Sequence, residues 1–321
     1  MTDFLDPFER MIAALFSPAA VRAAERGEPD DRAWSELAAS GFLDALVPED
    51  AGGAGVSFAD IVPLWLVLGR HAVPCPVGET MIARALLAQA GRAAPDGPIA
   101  IAAQAPGAAG RVIGAALARH LLVEWEGNLY LATLPGEAGV TGELAASVRW
   151  DSEAATPVGP IVPGGLRRAA AVLRAALIAG AADRLTTMTA GYANVRIQFG
   201  KPIGKQQALQ QQLAVMAEDM VAARIAAHIG GAGSFPPALA AAATAKSVAS
   251  GAAARVAAIA HAVHGAIGIS EEYDLQLYTR RLQAWRLADG SESYWNRLLG
   301  AERLAAPSGS VDFVRTALAP A

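Results

Sequence analysis

The stretch RLADGSESYW, residues 286–295, places two carboxylates, Asp289 and Glu292, in a short polar island near the end of an apolar chain. A carboxylate held in a dry site can remove a weakly acidic proton from a bound substrate. Asp-Gly-Ser-Glu is also a natural sequence for a helix N-terminus, where Asp289 would cap the helix and do no chemistry. The residues alone leave both interpretations open.

The composition restricts the kind of protein that carries this island. The chain has 321 residues, of which 53% are hydrophobic and 17% charged, as expected for a folded protein with two or three packed units. A net charge of −4 provides no basic field for nucleic acid or anionic lipid, so neither is an expected partner. The single cysteine, Cys75, excludes an internal disulfide and a multi-cysteine zinc site, and we predict no metal.

The sequence predicts a cytoplasmic protein. Its first residues, MTDFLDPFERM, are acidic and lack the basic and apolar regions of a signal peptide. The apolar stretches 168–182 and 251–266 are interrupted by arginine and histidine, so we interpret them as buried helices and not as membrane spans.

Apolar periodicity divides the chain into helical and β segments. It predicts helices before Pro95 and again from Leu166 onward. Between Pro95 and Pro163, short apolar runs bounded by Gly, Pro and Asp predict a small β unit with a hairpin around Gly127. We predict a mainly α fold with a helical domain at 1–94, a reduced β domain at 95–163, a helical bundle at 164–306 and a tail at 307–321.

Three separated stretches carry a family resemblance. They read GFLDALVPEDAGGAGVSFAD (41–60), YANVRIQFGKPIGKQQALQQQLAVMAEDM (192–220) and HGAIGISEEYDLQLYTRR (264–281). In content and order they resemble motifs of the FAD-dependent acyl-CoA dehydrogenase family, of which this chain would be a shortened member.

The resemblance implies an N-terminal helical domain, a central β-barrel-like domain and a C-terminal four-helix bundle. FAD would lie between the β domain and the bundle and also touch a neighbouring subunit in a dimer of dimers. The implied reaction is α,β-dehydrogenation of an acyl-CoA thioester. In it a carboxylate removes the α-proton, flavin N5 accepts the β-hydride, and an electron-transfer flavoprotein takes up the electrons.

Arg196, Gln198 and Phe199 match family residues that reach the FAD of the partner subunit. A guanidinium suits a pyrophosphate, and an aromatic ring offers an apolar wall for adenine. Gln207, at the start of the next helix, would add a polar contact. The alternative is that Arg196 ends a helix and pairs with a carboxylate while Phe199 packs.

His264, Gly265, Ala266 and Gly268 form a second candidate cofactor segment. Small residues allow close backbone approach, and their amide N–H groups can meet phosphate or ribityl oxygens. The family often has a glutamine where this chain has Ala262, so one polar contact is absent. The alternative for His264 is a histidine in the core or at a helix end.

Ungapped spacing from the glycine motif aligns the family's catalytic Glu-Gly-Thr with Asp289, Gly290 and Ser291. Asp289 would then be the proton acceptor, Gly290 would let the thioester approach, and Ser291 would border the cofactor. Asp289 is one methylene shorter than the family's glutamate, and a displacement of ~1 Å can cost on the order of 10²-fold in rate. Glu292 is the competing carboxylate; it lies about one helical turn further on and is expected to point elsewhere.

The reduced β unit offers few flavin contacts. The family's flavin-contacting segment corresponds to Gln104-Ala105-Pro106, in which the Gln104 amide would donate a hydrogen bond. A family arginine that helps to hold acyl-CoA corresponds to Ala171, and Arg174 is a candidate replacement.

Two functions follow from these observations. The first is an FAD-dependent acyl-CoA dehydrogenase, a homo- or heterotetramer with Asp289 as base. The second is a non-catalytic or half-site partner subunit of a heteromeric acyl-CoA dehydrogenase, which lends Arg196 to a neighbour's FAD. The short β unit and the residues Ala171 and Ala262 motivate the second.

Overall fold

The computed structural model describes residues 2–135 and 145–318 of the chain. Helices lie on both sides of a small β region in the middle of the sequence, which confirms the predicted fold class. Residues 136–144 of the predicted β domain and 319–321 of the predicted tail lie outside the described residues. The domain boundaries themselves stay a prediction.

Helices occupy the N-terminal part of the chain. They are α1 (Thr2–Leu15), α2 (Pro18–Glu25), α3 (Asp31–Ala39), α4 (Phe58–Arg70) and α5 (Val77–Gln89). The side chains of Asp30 and Ser57 accept backbone N–H groups at the starts of α3 and α4, at 2.9 and 3.1 Å. Such caps satisfy N–H groups that have no partner within the helix, which explains why these helices begin where they do.

The β region consists of one sheet and one separate strand pair. Its strands are β1 (Ile99–Ala103), β2 (Gly110–Ile113), β3 (His120–Trp125), β4 (Asn128–Thr133), β5 (Ala145–Val148) and β6 (Thr156–Pro160). The sheet has the order β1-β3-β4-β6, with β1 and β3 parallel, and β2 pairs with β5. The predicted hairpin is confirmed: Glu126 and Gly127 both have positive φ, as a tight two-residue turn requires.

Five helices form the C-terminal bundle. They are α6 (Gly165–Val195), α7 (Gln207–Gly231), α8 (Leu239–His264), α9 (Leu275–Leu287) and α10 (Glu292–Ala305). Helix α6 packs against α7, α8 and α9, and α8 also packs against α10. A short hairpin of β7 (Ile197–Gln198) and β8 (Lys201–Pro202) connects α6 to α7. The segment predicted as a tail contains a further helix, α11 (Ser310–Leu318).

Helix α6 joins the three parts of the fold. At its start, the buried carboxylate of Glu124 on β3 accepts hydrogen bonds from the backbone N–H groups of Gly164 and Leu166. Further along, Gly180 packs directly against α4, because a Cβ there would overlap the carbonyl oxygen of Leu66. The sheet and the N-terminal helices are therefore both fixed to one helix of the bundle.

The stretch Leu239–Ile269 is long and apolar enough to cross a membrane by length and composition alone. It consists of α8 and the short 3₁₀ turn Gly265–Ile269. Helix α8 packs among the other bundle helices and carries a fully buried lysine, Lys246. We interpret it as a core helix of the bundle.

We predict that Gly180→Ala destabilises the protein by about 1–3 kcal/mol, because the new methyl group meets the backbone of α4. Gly191→Ala is the matched control on the same helix, since a Cβ there meets nothing within 4 Å. Denaturant unfolding of both variants measures the difference. Equal stability of the two variants would contradict the close packing of α4 on α6.

Candidate active site

Three adjoining cavities run along the border between the β region and the bundle, and we call them together the β–bundle cleft. The central cavity, of about 320 Å³, lies between the strands β1 and β2 and the α9–α10 loop, residues 288–291. A cavity of about 580 Å³ shares Gln104, Arg167 and Tyr294 with it. A cavity of about 680 Å³ on the α8–α9 side shares Arg111 and Ala288 with it. Volumes of this order are typical of small-molecule sites.

Asp289 lies at the central cavity with its side chain 15% exposed. Its Oδ2 accepts a hydrogen bond from Nε of Arg174 at 3.0 Å, and its backbone carbonyl accepts one from Trp295 Nε1 at 3.2 Å. Within residues 2–135 and 145–318, Oδ1 has no hydrogen-bond partner. One oxygen of the carboxylate is therefore held by the protein, and the other remains for a ligand in the cleft.

The structure shows no helix cap by the Asp289 side chain. Helix α10 begins at Glu292, its N-cap position is Ser291, and the hydrogen bond of the Asp289 carboxylate goes to Arg174. The competing carboxylate, Glu292, is bound to the guanidinium of Arg286. Hydrogen bonds from Arg286 lower the pKa of Glu292, which makes that group a weak proton acceptor.

Arg174 is the centre of a buried ion cluster. Its side chain is 1% exposed and pairs with Glu79 of α5 as well as with Asp289. Burial alone would lower the pKa of Arg174, but the two carboxylates, Glu79 foremost, outweigh burial and raise it. The structure thus places the predicted substrate-binding arginine in ion pairs that join α5, α6 and the α9–α10 loop.

Gly290 and Ser291 follow Asp289 in the loop. Gly290 has a φ of 108°, and a Cβ there would overlap the ring of Tyr294 and the indole of Trp295. Only glycine fits this conformation and this space. The loop therefore presents a bare backbone to the central cavity, while the half-buried Ser291 starts α10.

Gln104 lines the central cavity from the end of β1. Its Nε2 donates to the carbonyl of Val148 at 3.3 Å, and Gly110 packs on its side-chain oxygen. Opposite, Arg167 donates to the hydroxyl of Tyr294 and to a carbonyl of β1, both at 2.9 Å. Arg167 and Tyr294 thus separate the central cavity from the 580 Å³ cavity.

The predicted partner-facing residues lie on the β7–β8 hairpin and are exposed. Phe199 is 91% exposed with a φ of 51°, and Arg196 has no carboxylate partner in the part of the chain that the structure describes. Gln198 on β7 and Gln207 at the start of α7 are exposed as well. The alternative, in which Arg196 is paired and Phe199 packed, is not what the structure shows.

His264 ends α8 near this hairpin. Its ring stacks on Tyr192 with centroids 4.4 Å apart, and Nδ1 lies 2.8 Å from the carbonyl oxygen of Ala260. Burial lowers the pKa of His264, and its buried Nε2 has no partner among the described residues. The 3₁₀ turn that follows exposes Gly265 and Ala266 and buries Gly268. This segment and the hairpin share one end of the bundle.

Comparisons with known proteins agree with one family. The sequence models described as "Acyl-CoA dehydrogenase, N-terminal domain" and "Acyl-CoA dehydrogenase, C-terminal domain" match residues 2–94 and 167–305. "Acyl-CoA dehydrogenase IpdE2" of Mycobacterium tuberculosis is 35% identical over 298 residues, or 84% of this chain and 87% of that protein. IpdE2 of Mycolicibacterium smegmatis is 32% identical over 286 residues, or 83% and 86%. The chain belongs to the acyl-CoA dehydrogenase family.

Solved acyl-CoA dehydrogenase structures share the fold. A variant of the Tcur3481–Tcur3483 steroid ACAD has a TM-score of 0.77 at 25% identity, covering 95% of this chain and 99% of that one. The ChsE4–ChsE5 complex from Mycobacterium tuberculosis has a TM-score of 0.79 at 22% identity, covering 96% and 98%. The latter likeness concerns the fold alone.

Several residues at the centre of the candidate site are not among the predicted site residues. Glu79, Arg167 and Lys246 lie outside the family motifs and reach the site through packing, whereas Tyr294 lies five residues after Asp289. Arg167 lies four residues before Ala171 on the same helix, and helical spacing brings such positions to one face. This spacing could have indicated Arg167 as a site residue from the sequence alone, whereas no feature of the sequence indicated Glu79.

We predict that Arg174→Met costs about 3–5 kcal/mol of stability, because it leaves the buried Glu79 without its counter-ion. Arg32→Met is the control: Arg32 also pairs with a carboxylate, Glu36, but both side chains are largely exposed, at 83% and 45%, so we expect a loss below about 1 kcal/mol. Denaturant unfolding of both variants measures the two losses of stability. A cost for Arg174→Met no larger than that of the control would show that the cluster is unimportant.

Proposed function

We propose that this chain is an FAD-dependent acyl-CoA dehydrogenase in which Asp289 removes the α-proton of an acyl-CoA thioester. One observation supports this most: Asp289 is anchored through Oδ2 by Arg174 while Oδ1 has no partner in the described chain. A general base must be held within hydrogen-bond range of the proton that it takes. A carboxylate fixed on one side and available on the other meets that need.

The residues around the cleft fit FAD. Gln104 offers an amide, and the bare backbone at Gly290 permits close approach. The hydroxyl of Ser291 lies next to this backbone in the chain, at the start of α10. When bound there, FAD would accept the β-hydrogen of the substrate as a hydride. The task of the protein is then to hold the thioester between the cofactor and Asp289 and to exclude water.

The proton step would use the α9–α10 loop. Oδ1 of Asp289 would take the α-proton while the thioester carbonyl rests against Gly290. A backbone N–H of this loop would donate to the oxygen on which negative charge develops. Arg174, fully buried and paired, would act as a positioning residue for Asp289 and not as a contact to the CoA moiety.

A second set of residues would bind the FAD of another subunit. Arg196 lies 22 positions after Arg174 at the end of the same helix, or about 33 Å at ~1.5 Å per residue. An extended FAD molecule whose flavin ring lies at Asp289 is too short to reach Arg196 of the same chain. Arg196, Gln198, Phe199 and Gln207 would therefore contact a neighbour's cofactor, together with the backbone of 264–268.

This arrangement requires an oligomer, and we propose a homo- or heterotetramer. Exposed apolar side chains on the hairpin, Ile197 and Phe199 among them, favour burial against another subunit. The substrate would be an acyl-CoA, and an electron-transfer flavoprotein would accept the electrons. The cytoplasm is the proposed location.

The alternative is a non-catalytic or half-site partner subunit of a heteromeric acyl-CoA dehydrogenase. One observation favours it: the carboxylate of Asp289 is already engaged in an ion pair with the buried guanidinium of Arg174. The structural neighbour ChsE4–ChsE5 is, by its name, a complex of two different chains. Such a subunit would still supply Arg196 to its partner's cofactor. Purified alone it would be colourless, and it would gain flavin only when co-expressed with a neighbouring dehydrogenase subunit.

We predict that Asp289→Asn slows bleaching of the bound flavin by acyl-CoA thioesters on the order of 10²- to 10⁴-fold, the usual contribution of a general base. The amide keeps an oxygen for Arg174 but cannot accept the proton. Glu292→Gln is the control, since that carboxylate is bound to Arg286, and we expect a rate close to wild type. Stopped-flow absorbance of the flavin band measures both. Unchanged bleaching in Asp289→Asn would show that the base is another group.

A further inference from the structure

Lys246 on α8 is a fully buried lysine, and its side-chain nitrogen contacts no carboxylate among residues 2–135 and 145–318. Its Nζ donates three hydrogen bonds: to Ser250 Oγ at 2.9 Å, to the carbonyl of Arg286 at 2.8 Å and to the carbonyl of Gly290 at 2.9 Å. An ammonium has three N–H donors, so every donor is used. Two of the three acceptors lie on either side of Asp289.

We propose that Lys246 is a positioning residue that fixes the α9–α10 loop and thereby the carboxylate of Asp289. This inference deepens the proposed function and rests on it. We call the hydrogen bonds from Lys246 to the carbonyls of Arg286 and Gly290 the clamp. The loop needs the clamp because Asp289 has a φ of 58° and Gly290 one of 108°. A non-glycine residue in the left-handed region persists only where its surroundings hold it there.

The choice of lysine supports a role beyond filling space. Burying an ammonium is costly, whereas methionine would fill a similar volume without that cost. Among the described side chains, only Lys246 donates to the carbonyl of Gly290, whereas the carbonyl of Arg286 also accepts a long hydrogen bond of 3.4 Å from Ser250 Oγ. A hydrophobic residue in place of Lys246 would leave the Gly290 carbonyl without a side-chain donor and the Arg286 carbonyl with only the long bond from Ser250.

The charged groups around Lys246 come from four elements. Asp289 of the loop and Glu292 of α10 favour the ammonium, while Arg174 of α6 and Arg286 of α9 oppose it. Burial is the largest influence and lowers the pKa of Lys246 to about 7. Asp289 is the largest of the influences that raise this pKa, and two carbonyl oxygens and a hydroxyl oxygen accept the N–H groups of the ammonium.

A lowered pKa gives the buried amine a pH signature. Between pH of about 7 and the ordinary value of 10.5, the unfolded chain binds a proton that the folded chain has released. The free energy of unfolding therefore rises with pH across this window in wild type relative to Lys246→Met. A lysine whose amine reached solvent would show no such difference, so equal pH profiles of the two proteins would contradict the burial on which the clamp depends.

The clamp is tested by hydrogen–deuterium exchange of the full chain, with Lys246→Met and Ser250→Ala compared with wild type. We expect Lys246→Met to raise exchange at residues 286–292 by about tenfold or more, as loss of two hydrogen bonds implies, with exchange in α6 unchanged. Ser250→Ala keeps both bonds from Lys246 to the carbonyls and removes from the loop only the long, 3.4 Å bond to Arg286, so its exchange should stay within about threefold of wild type. Unchanged exchange at 286–292 in Lys246→Met overturns the proposal. If Lys246→Met does not fold, Lys246→Gln, which also removes the ammonium, is judged by the same criterion.

Flavin bleaching then tests the positioning role. We expect Lys246→Met to retain its flavin and a near-normal KM while kcat falls by about tenfold or more, because a displacement of ~1 Å has costs of this order. If Lys246→Met shows faster exchange in the loop but its flavin is bleached at the wild-type rate, Lys246 does not position Asp289 for catalysis. If wild type itself is not bleached by any thioester, the proposed function fails, and the exchange result still decides whether Lys246 fixes the loop.

Discussion

The buried ion cluster at Arg174 is the interaction on which the site depends. Its guanidinium binds Glu79 of the N-terminal helices and Asp289 of the α9–α10 loop, and its own backbone belongs to the helix that joins all parts of the fold. Removing a charge from water is costly, so such a cluster persists only when each charge has a partner. Packing of the N-terminal helices on the bundle and orientation of Asp289 therefore depend on the same ion cluster.

The length of α6 imposes a second constraint. It places the Asp289 cluster near one end of the bundle and the exposed Arg196 hairpin at the other, about 33 Å away at ~1.5 Å per residue. A cofactor at the first end cannot reach the second within one chain. In the proposed function, Asp289 and Arg196 of one chain therefore serve two different FAD molecules. This geometry is compatible with an assembly of identical chains and with one of two different chains.

Local signals in the sequence were sufficient for most of the fold. The apolar periodicity and the Gly127 turn predicted helices and a hairpin that the structure confirms. Ungapped spacing led to Asp289 as the candidate base. Its surroundings were not predictable, because Glu79 lies 95 residues from Arg174 and meets it only through tertiary packing.

The partners of buried polar groups in apolar helices were equally unpredictable from the sequence, because they too are set by tertiary packing. Lys246 stands in an alanine-rich stretch whose periodicity indicates only that the helix is buried. The groups that the lysine binds are the carbonyls that face it from α9 and the α9–α10 loop, and the positive φ of Asp289 helps to set the position of the Gly290 carbonyl.

Removal of the α-proton by Asp289 is tested most directly by deuterium incorporation. Acyl-CoA thioesters of short, branched and ring-bearing acyl groups are incubated with the enzyme in D₂O, and α-deuterium is read by NMR. We expect incorporation with wild type and none with Asp289→Asn; equal incorporation with both would show that another group takes the proton.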